Sequence, residues 1–385
     1  MNNFYYYNPT KIIFGSGMIE RIKFELPKDA RVLLVYGTGS IKKNNVYKQV
    51  TQALSAFEFL EFGGITPNPE YRDCMEAAQF AKANNINFLL AVGGGSVIDA
   101  VKFIALAMCD DNESSWQFLS GERPVPSNSI PFGCVLTAPA TGSEVNSGCV
   151  ISDSPKQEKL SSGAWHTYPK FSVLDPTAAF SLPKKQIANG IVDTFVHVLE
   201  QYATTVSNAI LQDRQAEAIL QSVIEIGPEL LKNHSDQTLW ESFSWCSSQA
   251  MTGLISRGVP VDWSTHIIAH HLTALYNIEH ARTLAIVMPG VWRHQMSEKR
   301  DKLAQYGRRV WGLSGSTQDV AEKAIEETER FFIELGVSTR LQDYQLNAEE
   351  VANTVSNRFN NMPSGLGESQ SIDQQAIKTI LLSRS

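Results

Sequence analysis

The sequence predicts an α/β domain with a parallel sheet, followed by an all-helical domain. In the first half, short apolar and β-branched runs alternate with helical patterns, an order that produces a parallel sheet covered by helices. After about residue 178 the strand-like runs almost vanish and a 3.6-residue periodicity takes over. We therefore expect an α/β domain over residues 1–178 and a helical domain over 179–385.

The individual elements follow from the same patterns. Strands are expected where apolar runs end in turn residues, at 31–36, 58–62, 87–92 and 131–137, with a first edge strand near 11–14. Helices are expected between them at 45–57, 70–83 and 96–108. In the second half, helical periodicity covers 185–202, 209–226, 235–254, 264–275 and 317–335. The residues after 360 are expected to be loop-like before a short final helix.

Composition and charge exclude several classes of protein. The net charge is −7 and no dense Lys/Arg run occurs, so nucleic acid is not expected as a partner. The five cysteines are an odd number and form no C-x-x-C, which argues against a disulfide framework and a cysteine zinc site. No stretch resembles a signal peptide or a membrane span, so we expect a cytoplasmic protein without a membrane partner.

A glycine-rich loop lies between a predicted strand and a predicted helix. It reads Gly93-Gly94-Gly95-Ser96, and Ser96 is expected to cap the helix, with Asp99 at the spacing of a capping box. Glycines allow backbone N–H groups to approach a ligand closely, and a helix N-terminus favours a negative charge, so the loop suits a pyrophosphate. The G-x-G-x-x-G fingerprint is absent, and an ordinary glycine-rich turn is the alternative.

A second loop follows an earlier predicted strand and reads Gly37-Thr38-Gly39-Ser40-Ile41-Lys42-Lys43. Sites that prefer NAD place an acid near such a strand end to bind the ribose 2′-hydroxyl. This loop has no acid and two lysines, which would favour a 2′-phosphate instead. A solvated turn is the alternative interpretation.

Polar residues form a stripe on one otherwise apolar helix. Asn189, Asp193 and His197 recur every four residues and therefore share a helix face. Because their neighbours are apolar, the helix is expected to be buried, and a buried carboxylate and imidazole need partners. A shared metal ion would satisfy both. A simple Asp–His hydrogen bond is the alternative and, for this helix alone, the better interpretation.

Four of the eight histidines fall between residues 266 and 280. They are His266, His270, His271 and His280, and the first two share a helix face. One carboxylate, Asp193, and up to three histidines form a plausible ligand set for a divalent transition metal with an open position. H-E-x-x-H and G-x-S-x-G are absent, which disfavours a zincin protease and a serine hydrolase. Histidines that meet by coincidence on the helix surface and in the core are the alternative.

As a set, these motifs resemble those of the iron-containing (group III) alcohol dehydrogenases, and most closely the branch of NADPH-dependent butanol dehydrogenases and aldehyde reductases. The resemblance runs over almost the whole chain. Its landmarks, in order, are Gly93-Gly94-Gly95-Ser96-x-x-Asp99-x-x-Lys102, Thr137-x-x-x-Thr141-Gly142-Ser143-Glu144-x-Asn146, Leu174-Asp175-Pro176, Leu182-Pro183, Gly190-x-x-Asp193-x-x-x-His197-x-x-Glu200 and His266-x-x-x-His270 with His280.

The resemblance implies a Rossmann-like N-terminal domain, a helical C-terminal domain and a cleft between them. It implies one divalent metal ion, Fe²⁺ or Zn²⁺, with Ni²⁺ and cobalt also acceptable by ligand type. The implied metal ligands are Asp193, His197, His266 and His280. His270 is implied to lie near the nicotinamide and the substrate as a catalytic proton donor, whereas His271 has no assigned role. The residues expected to bind NADP(H) are Gly37, Thr38, Gly39, Ser40, Lys43, Asn68, Gly93, Gly94, Gly95, Ser96, Asp99, Thr137, Thr141, Asn146 and Lys159.

The resemblance further implies a homodimer that interconverts small aliphatic aldehydes and primary alcohols by hydride transfer. Two alternatives are a metal- and dinucleotide-dependent lyase of the dehydroquinate-synthase type and a non-enzymatic nucleotide-sensing protein. The lyase is disfavoured because the chain lacks the dense set of basic residues expected for a phosphorylated substrate. Candidates for the apolar pocket lining are Phe118, Leu182, Leu254 and Trp263.

Overall fold

The structure is a computed structural model, and it describes residues 1–112, 114–205, 208–360 and 362–385. The chain divides into two compact units. The sheet unit comprises Tyr7–Pro183 and Asn233–Thr252, and the helical unit comprises Met1–Tyr6, Lys184–Lys232 and Gly253–Ser385. This division differs from the expected boundary at residue 178 mainly because one helix of the second half packs with the sheet unit.

The sheet unit is built on a parallel sheet, as predicted. The strands are β1 (Lys11–Phe14), β2 (Arg31–Gly37), β3 (Glu58–Ile65), β4 (Phe88–Gly94), β5 (Phe132–Ala138), β6 (Gly148–Asp153), β7 (Glu158–Gly163) and β8 (Phe171–Leu174). Among the described residues, the sheet has the order β1-β8-β5-β4-β2-β3 with every pairing parallel. β6 and β7 form a separate antiparallel pair that the sequence patterns did not predict.

The helices follow in chain order. They are α1 (Ile22–Glu25), α2 (Val46–Ala53), α3 (Tyr71–Ala83), α4 (Gly95–Ala107), α5 (Trp116–Leu119), α6 (Lys184–Tyr202), α7 (Ile210–Lys232), α8 (Gln237–Met251), α9 (Ser264–Tyr276), α10 (His280–His294), α11 (Met296–Arg309), α12 (Thr317–Glu334), α13 (Ala348–Asn357) and α14 (Gln374–Leu382). In the part of the chain described, no helix is long and apolar enough to cross a membrane.

Strands β4 and β5 form the middle of the sheet and carry its core. Nearly every residue of both strands is buried, which is typical of parallel strands covered on both faces. Helix α4 packs beside β4 and is apolar on almost all sides, so it is buried as well. The turn from β4 to α4 is therefore held between two fully packed elements.

The expected cap of α4 is wrong. The helix begins at Gly95 with Gly94 as its N-cap residue, and no side chain caps it, so Ser96 lies inside the first turn. The glycines allow β4 to continue to Gly94 and the helix to begin at Gly95, two residues earlier than a serine N-cap at Ser96 predicts. The packing of the glycine turn, and not the N-cap preference of serine, therefore sets the first residue of α4.

Helix α6 lies at the centre of the helical unit. It is buried from Ile187 to Tyr202 and packs against α7 and α10. Helix α9 ends at Tyr276, and the left-handed backbone of the next residue, Asn277 (φ 54°), closes it. Only a short connection then leads to α10, which begins at His280.

Candidate functional site

Three helices of the helical unit bring the predicted metal ligands together. Helix α6 supplies Asp193 and His197, α9 supplies His266, and α10 supplies His280 at its first residue. One donor atom each from Asp193, His266 and His280 lie within 4.8 Å of one another. The ring of His197 stacks on that of His266 with 4.7 Å between centroids, and its Nδ1 lies 3.9 Å from Oδ1 of Asp193. The structure thus places the four residues in one cluster.

The residues present fit a metal ion. Oδ1 of Asp193 is buried and accepts no hydrogen bond from any residue that the structure describes. A buried carboxylate oxygen without a partner is costly, and a cation beside it would remove that cost. One carboxylate with several imidazoles is a donor set suited to Zn²⁺ or Fe²⁺. The cluster therefore has donor atoms suited to a metal ion and a buried carboxylate oxygen that a metal ion would pair with.

Glu200 supports this cluster from behind, a role that the sequence did not reveal. Its carboxylate accepts hydrogen bonds from the backbone N–H groups of Thr265 (2.9 Å) and His266 (3.1 Å), and lies 2.5 Å from Nδ1 of His266. When Nδ1 donates to Glu200, the lone pair of His266 is on Nε2, as a metal ligand requires. Burial, followed by the charge of Asp262, raises the pKa of Glu200 to about 8, and the N–H donors oppose that rise.

The signal for Glu200 is its position on α6. It follows His197 by three residues on a helix that is buried on all sides, where a carboxylate must have a partner. Glu200 is one of the family landmarks in the sequence, but the sequence does not show which residues it contacts. The structure shows that its carboxylate contacts the first turn of α9.

His270 and His271 have different surroundings although they are neighbours on α9. The ring of His270 lies 4.9 Å from that of His280 and 6.5 Å from that of His266, so it borders the ligand cluster. The ring of His271 packs edge-on against Phe359 at 4.6 Å. Burial, followed by the charge of Arg358, lowers the pKa of His271 to about 4. His270 thus borders the ligand cluster, whereas the ring of His271 packs on Phe359.

Trp263 forms an aromatic wall beside two of the histidines. Its ring lies edge-on at 5.1 Å from His266 and 6.2 Å from His197. Of the other residues expected in the pocket lining, Phe118 is buried in the core of the sheet unit against Phe103, so that expectation is wrong for Phe118. Leu182 and Leu254 are half-buried.

The two glycine loops of the sheet unit follow neighbouring strands. Gly37 ends β2 and Gly94 ends β4, and these strands pair in parallel. β3 lies on one side of β2, and β4 and then β5 lie on the other side. The order in which strands are added to the sheet therefore reverses between β2 and β4. Sheets of this type bind ligands in the crevice beyond the carboxyl ends of the strands at such a point.

Close packing requires the glycines of the first loop. A Cβ atom would lie 2.5 Å from the side chain of Val97 at Gly93, 2.9 Å from Ala138 at Gly94 and 2.4 Å from Thr141 at Gly95. The turn is therefore fixed against the segment after β5. It presents the N-terminal backbone of α4, which suits a pyrophosphate.

A polar network beneath this loop holds several of the predicted cofactor residues. Asp99 accepts hydrogen bonds from Ser143 Oγ (2.5 Å) and from the N–H of Val150 (3.0 Å). The buried ammonium group of Lys102 donates to Ser143 Oγ (2.7 Å) and to Oδ1 of Asn146 (3.0 Å). Asp99 and Asn146 therefore tie residues 143–150 to α4. Their contact with a cofactor stays a prediction.

Two further predicted cofactor residues meet although 91 positions separate them. Lys159 on β7 donates to Oδ1 of Asn68 at 3.0 Å. Asn68 has a left-handed backbone (φ 56°), which asparagine tolerates better than most residues. Thr137 is buried near the end of β5.

The two lysines of the second loop differ in their contacts. Lys42 forms an ion pair with Glu61 at 3.4 Å and lies over the rings of Tyr36 and Tyr47. Lys43 is exposed. Gly39 has φ 101°, a conformation that favours glycine. Lys42 is exposed as well, so the two lysines differ in their contacts, and binding of an anion by Lys43 stays a prediction.

Comparison with known proteins gives a consistent result. The model of the iron-containing alcohol dehydrogenase family matches residues 9–176, and that of the C-terminal region of the Fe-containing alcohol dehydrogenase family matches 187–384. The chain is 45% identical over 374 residues to the NADPH-dependent aldehyde reductase YqhD of Escherichia coli K12, covering 97% of each chain. It is 40% identical over 388 residues to the probable NADH-dependent butanol dehydrogenase 1 of Bacillus subtilis, covering 99% of each.

Solved structures agree with the sequence matches. The crystal structure of Escherichia coli K-12 YqhD superimposes with a TM-score of 0.97 at 43% identity, covering 100% of this chain and 99% of that one. The NADH-dependent butanol dehydrogenase A of Thermotoga maritima gives a TM-score of 0.95 at 30% identity with the same coverage. The chain therefore belongs to the iron-containing alcohol dehydrogenase family, and it is an oxidoreductase of the alcohol–aldehyde type.

Proposed function

We propose that this protein is a metal-dependent alcohol dehydrogenase that uses NADP(H) to interconvert aliphatic aldehydes and primary alcohols. The observation that carries the proposal is the convergence of Asp193, His266 and His280, with His197 stacked beside them. The relative that is 45% identical is named an NADPH-dependent aldehyde reductase, which supports aldehyde reduction as the main direction.

The metal would be held by Asp193, His197, His266 and His280. When bound, Fe²⁺ or Zn²⁺ would polarise the carbonyl oxygen of the aldehyde as a Lewis acid. Ni²⁺ suits the same donor set. Glu200 fixes the tautomer of His266 and so keeps Nε2 directed at the cluster.

The remaining residues of the helical unit would orient the substrate and move a proton. Trp263 covers one side of the ligand histidines and excludes water from that side. His270, whose ring lies 4.9 Å from that of His280, would donate a proton from its ring nitrogen to the alkoxide oxygen that hydride transfer leaves, which gives the alcohol. His271 has no part in this chemistry because its ring is packed on Phe359.

The sheet unit would bind the cofactor, which supplies the hydride. Residues 93–96 would hold the pyrophosphate, with Thr137, Thr141 and the Lys159–Asn68 pair around the rest of the cofactor. Asp99 and Asn146 would act by holding residues 143–150 in place. Lys43 and residues 37–40 would bind the 2′-phosphate, since that loop carries no acid. We assign dinucleotide binding to residues 1–178 and metal and substrate binding to 179–385, and we propose a cytoplasmic homodimer.

The test is NADPH consumption with butanal as substrate, using protein stripped of metal. We expect consumption only after Zn²⁺ is added, or Fe²⁺ in the absence of oxygen. NADPH binding without net consumption under either metal would instead favour a lyase or a nucleotide sensor.

A matched pair of variants tests the ligand assignment. His266→Ala removes a proposed ligand and should abolish metal binding and activity together. His271→Ala changes the same residue type five positions further along α9, where the ring packs on Phe359, and should keep both. Full activity in metal-free His266→Ala protein would refute the assignment.

A further inference from the structure

A fully buried ammonium group is bound to the chain segments that adjoin the proposed metal ligands. Lys299 on α11 has no exposed surface. Its Nζ donates to the carbonyl oxygen of Ala203 (2.9 Å), to Oδ2 of Asp262 (2.6 Å) and to the carboxylate of Glu368 (2.9 Å and 3.0 Å). A buried charge is costly unless it is fully paired, and here every donor has an acceptor.

The acceptors of Lys299 lie at the ends of the two helices that carry most of the ligands. Ala203 directly follows α6, and Asp262 lies two residues before α9. One side chain therefore connects the end of α6 to the start of α9. Glu368 adds the segment that precedes α14.

Asp262 passes this constraint on to α9. Its Oδ1 accepts a hydrogen bond from the N–H of Ser264 at 2.8 Å, and its own N–H donates to the carbonyl oxygen of Glu200 at 2.9 Å. Burial works to raise the pKa of Asp262, but Lys299 lowers it below its ordinary value, so the carboxylate stays charged. The first turn of α9, which contains His266, begins from this anchored residue.

The turn that Asp262 anchors is strained. Trp263 has φ 65° and ψ 3°, a left-handed conformation that a bulky side chain rarely adopts. Such a conformation persists only when the surrounding structure holds it. Asp262, the preceding residue, supplies such contacts on both sides of Trp263. The turn carries the indole ring beside the histidines and leads into the helix that positions His266.

We propose that Lys299 is a positioning residue for the metal centre: by holding Asp262 it keeps the strained turn at Trp263 and the ring of His266 in the arrangement that binds the metal. This inference rests on the proposed function, because it requires a metal at the cluster. It assigns Lys299 a role in metal geometry and retention, in addition to its contribution to stability.

The chain offers a matched control on the same helix. Lys302 is also buried, and its Nζ donates to Oδ1 of Asp213 on α7 at 2.6 Å. Replacing it with methionine removes a buried ion pair of the same type. It leaves Lys299, Asp262 and the turn at Trp263 unchanged.

The experiment uses Co²⁺ as the metal and does not depend on activity. Wild-type protein, Lys299→Met, Lys302→Met and Asp262→Asn are loaded with Co²⁺, and the visible absorption of the bound ion and its rate of loss to a chelator are recorded with the thermal unfolding temperature. Asp262→Asn keeps the side-chain volume and replaces a carboxylate oxygen by an amide group, so it weakens the same link to Lys299. It serves as the test variant if Lys299→Met does not fold.

We expect Lys299→Met and Asp262→Asn to alter the Co²⁺ spectrum and to release the ion about tenfold faster than wild type. Lys302→Met should keep the wild-type spectrum and release rate although it unfolds at a lower temperature. Wild-type spectra and rates in Lys299→Met or, where that variant does not fold, in Asp262→Asn would overturn the inference and leave the proposed function intact. Equal changes in Lys302→Met would overturn it too. A wild-type protein that binds no Co²⁺ would overturn the proposed function along with it.

Discussion

Replacing Glu200 by glutamine should weaken metal binding without removing a ligand. Oε1 accepts the N–H of Thr265, and Oε2 accepts both the N–H and Nδ1–H of His266. Glutamine has one carbonyl oxygen, so it cannot accept at both positions. In its better orientation it keeps the two bonds to His266 and leaves the N–H of Thr265 facing an amide group.

The magnitude follows from these contacts. Hydrogen bonds to a charged acceptor contribute about 1.5–3 kcal/mol, against about 0.5–1.5 kcal/mol for neutral ones. The loss of charge therefore costs about 1 kcal/mol at the bond to Nδ1, and the unpaired N–H adds to it. Removal of such outer carboxylates weakens metal binding by about 10- to 100-fold, which corresponds to about 1.4–2.8 kcal/mol.

The assay is a competition for Zn²⁺ between the metal-stripped protein and a chromogenic chelator at pH 8.5, above the raised pKa of Glu200, so that the wild-type carboxyl is mostly ionised. The control is Glu217→Gln, a buried glutamate on α7 that pairs with Arg309 and Arg214 and lies outside the ligand cluster. We expect Glu217→Gln to bind Zn²⁺ as wild type does. A Glu200→Gln protein with affinity within about twofold of wild type would refute the role of this carboxylate.

Three other predictions concern the cofactor loop, the proton donor and the half-buried His271. Gly95→Ala places a methyl group 2.4 Å from Oγ1 of Thr141, so the turn must shift; fluorescence titration should show NADPH binding weakened about tenfold or more, with the metal content unchanged. His270→Ala should keep its metal, measured by elemental analysis, while kcat falls about 10²- to 10⁴-fold. Burial and then Arg358 lower the pKa of His271 to about 4, so the unfolded chain binds that proton first and stability is lost as the pH falls from about 6.5 towards 4. Urea unfolding at pH 7.5 and pH 5 should show a loss of about 2 kcal/mol at pH 5 that His271→Gln lacks.

The elements that the sequence predicted are those with strong local patterns. The run of apolar residues before Gly93 predicts β4 because a strand that is buried on both faces is apolar along almost its whole length. The four-residue spacing of Asp193 and His197 predicts one face of α6 in the same way. Both signals lie within one element, so they need no knowledge of the rest of the fold.

The features that were missed depend on residues far apart in the chain. Lys299 binds Asp262 and Glu368, which are 37 and 69 positions away, and nothing near Lys299 in the sequence indicates either partner. The contact of Lys159 with Asn68 likewise depends on β6 and β7, whose serine-rich pairing carries no clear alternation of apolar residues. The cap expected at Ser96 failed for a related reason, because the turn packs closely against Thr141, which is distant in the chain.

The ligand cluster joins helices that are distant in the chain, from Asp193 to His280. A metal bound there acts as a cross-link that the unfolded chain lacks, and its binding energy adds to the folding energy of the helical unit. At a free metal concentration 1,000 times the dissociation constant, that addition is about 4 kcal/mol. Newly made chains that fail to obtain metal would therefore unfold more often and be degraded sooner by proteases. The cellular amount of this enzyme, and not only its specific activity, should rise and fall with the supply of its metal.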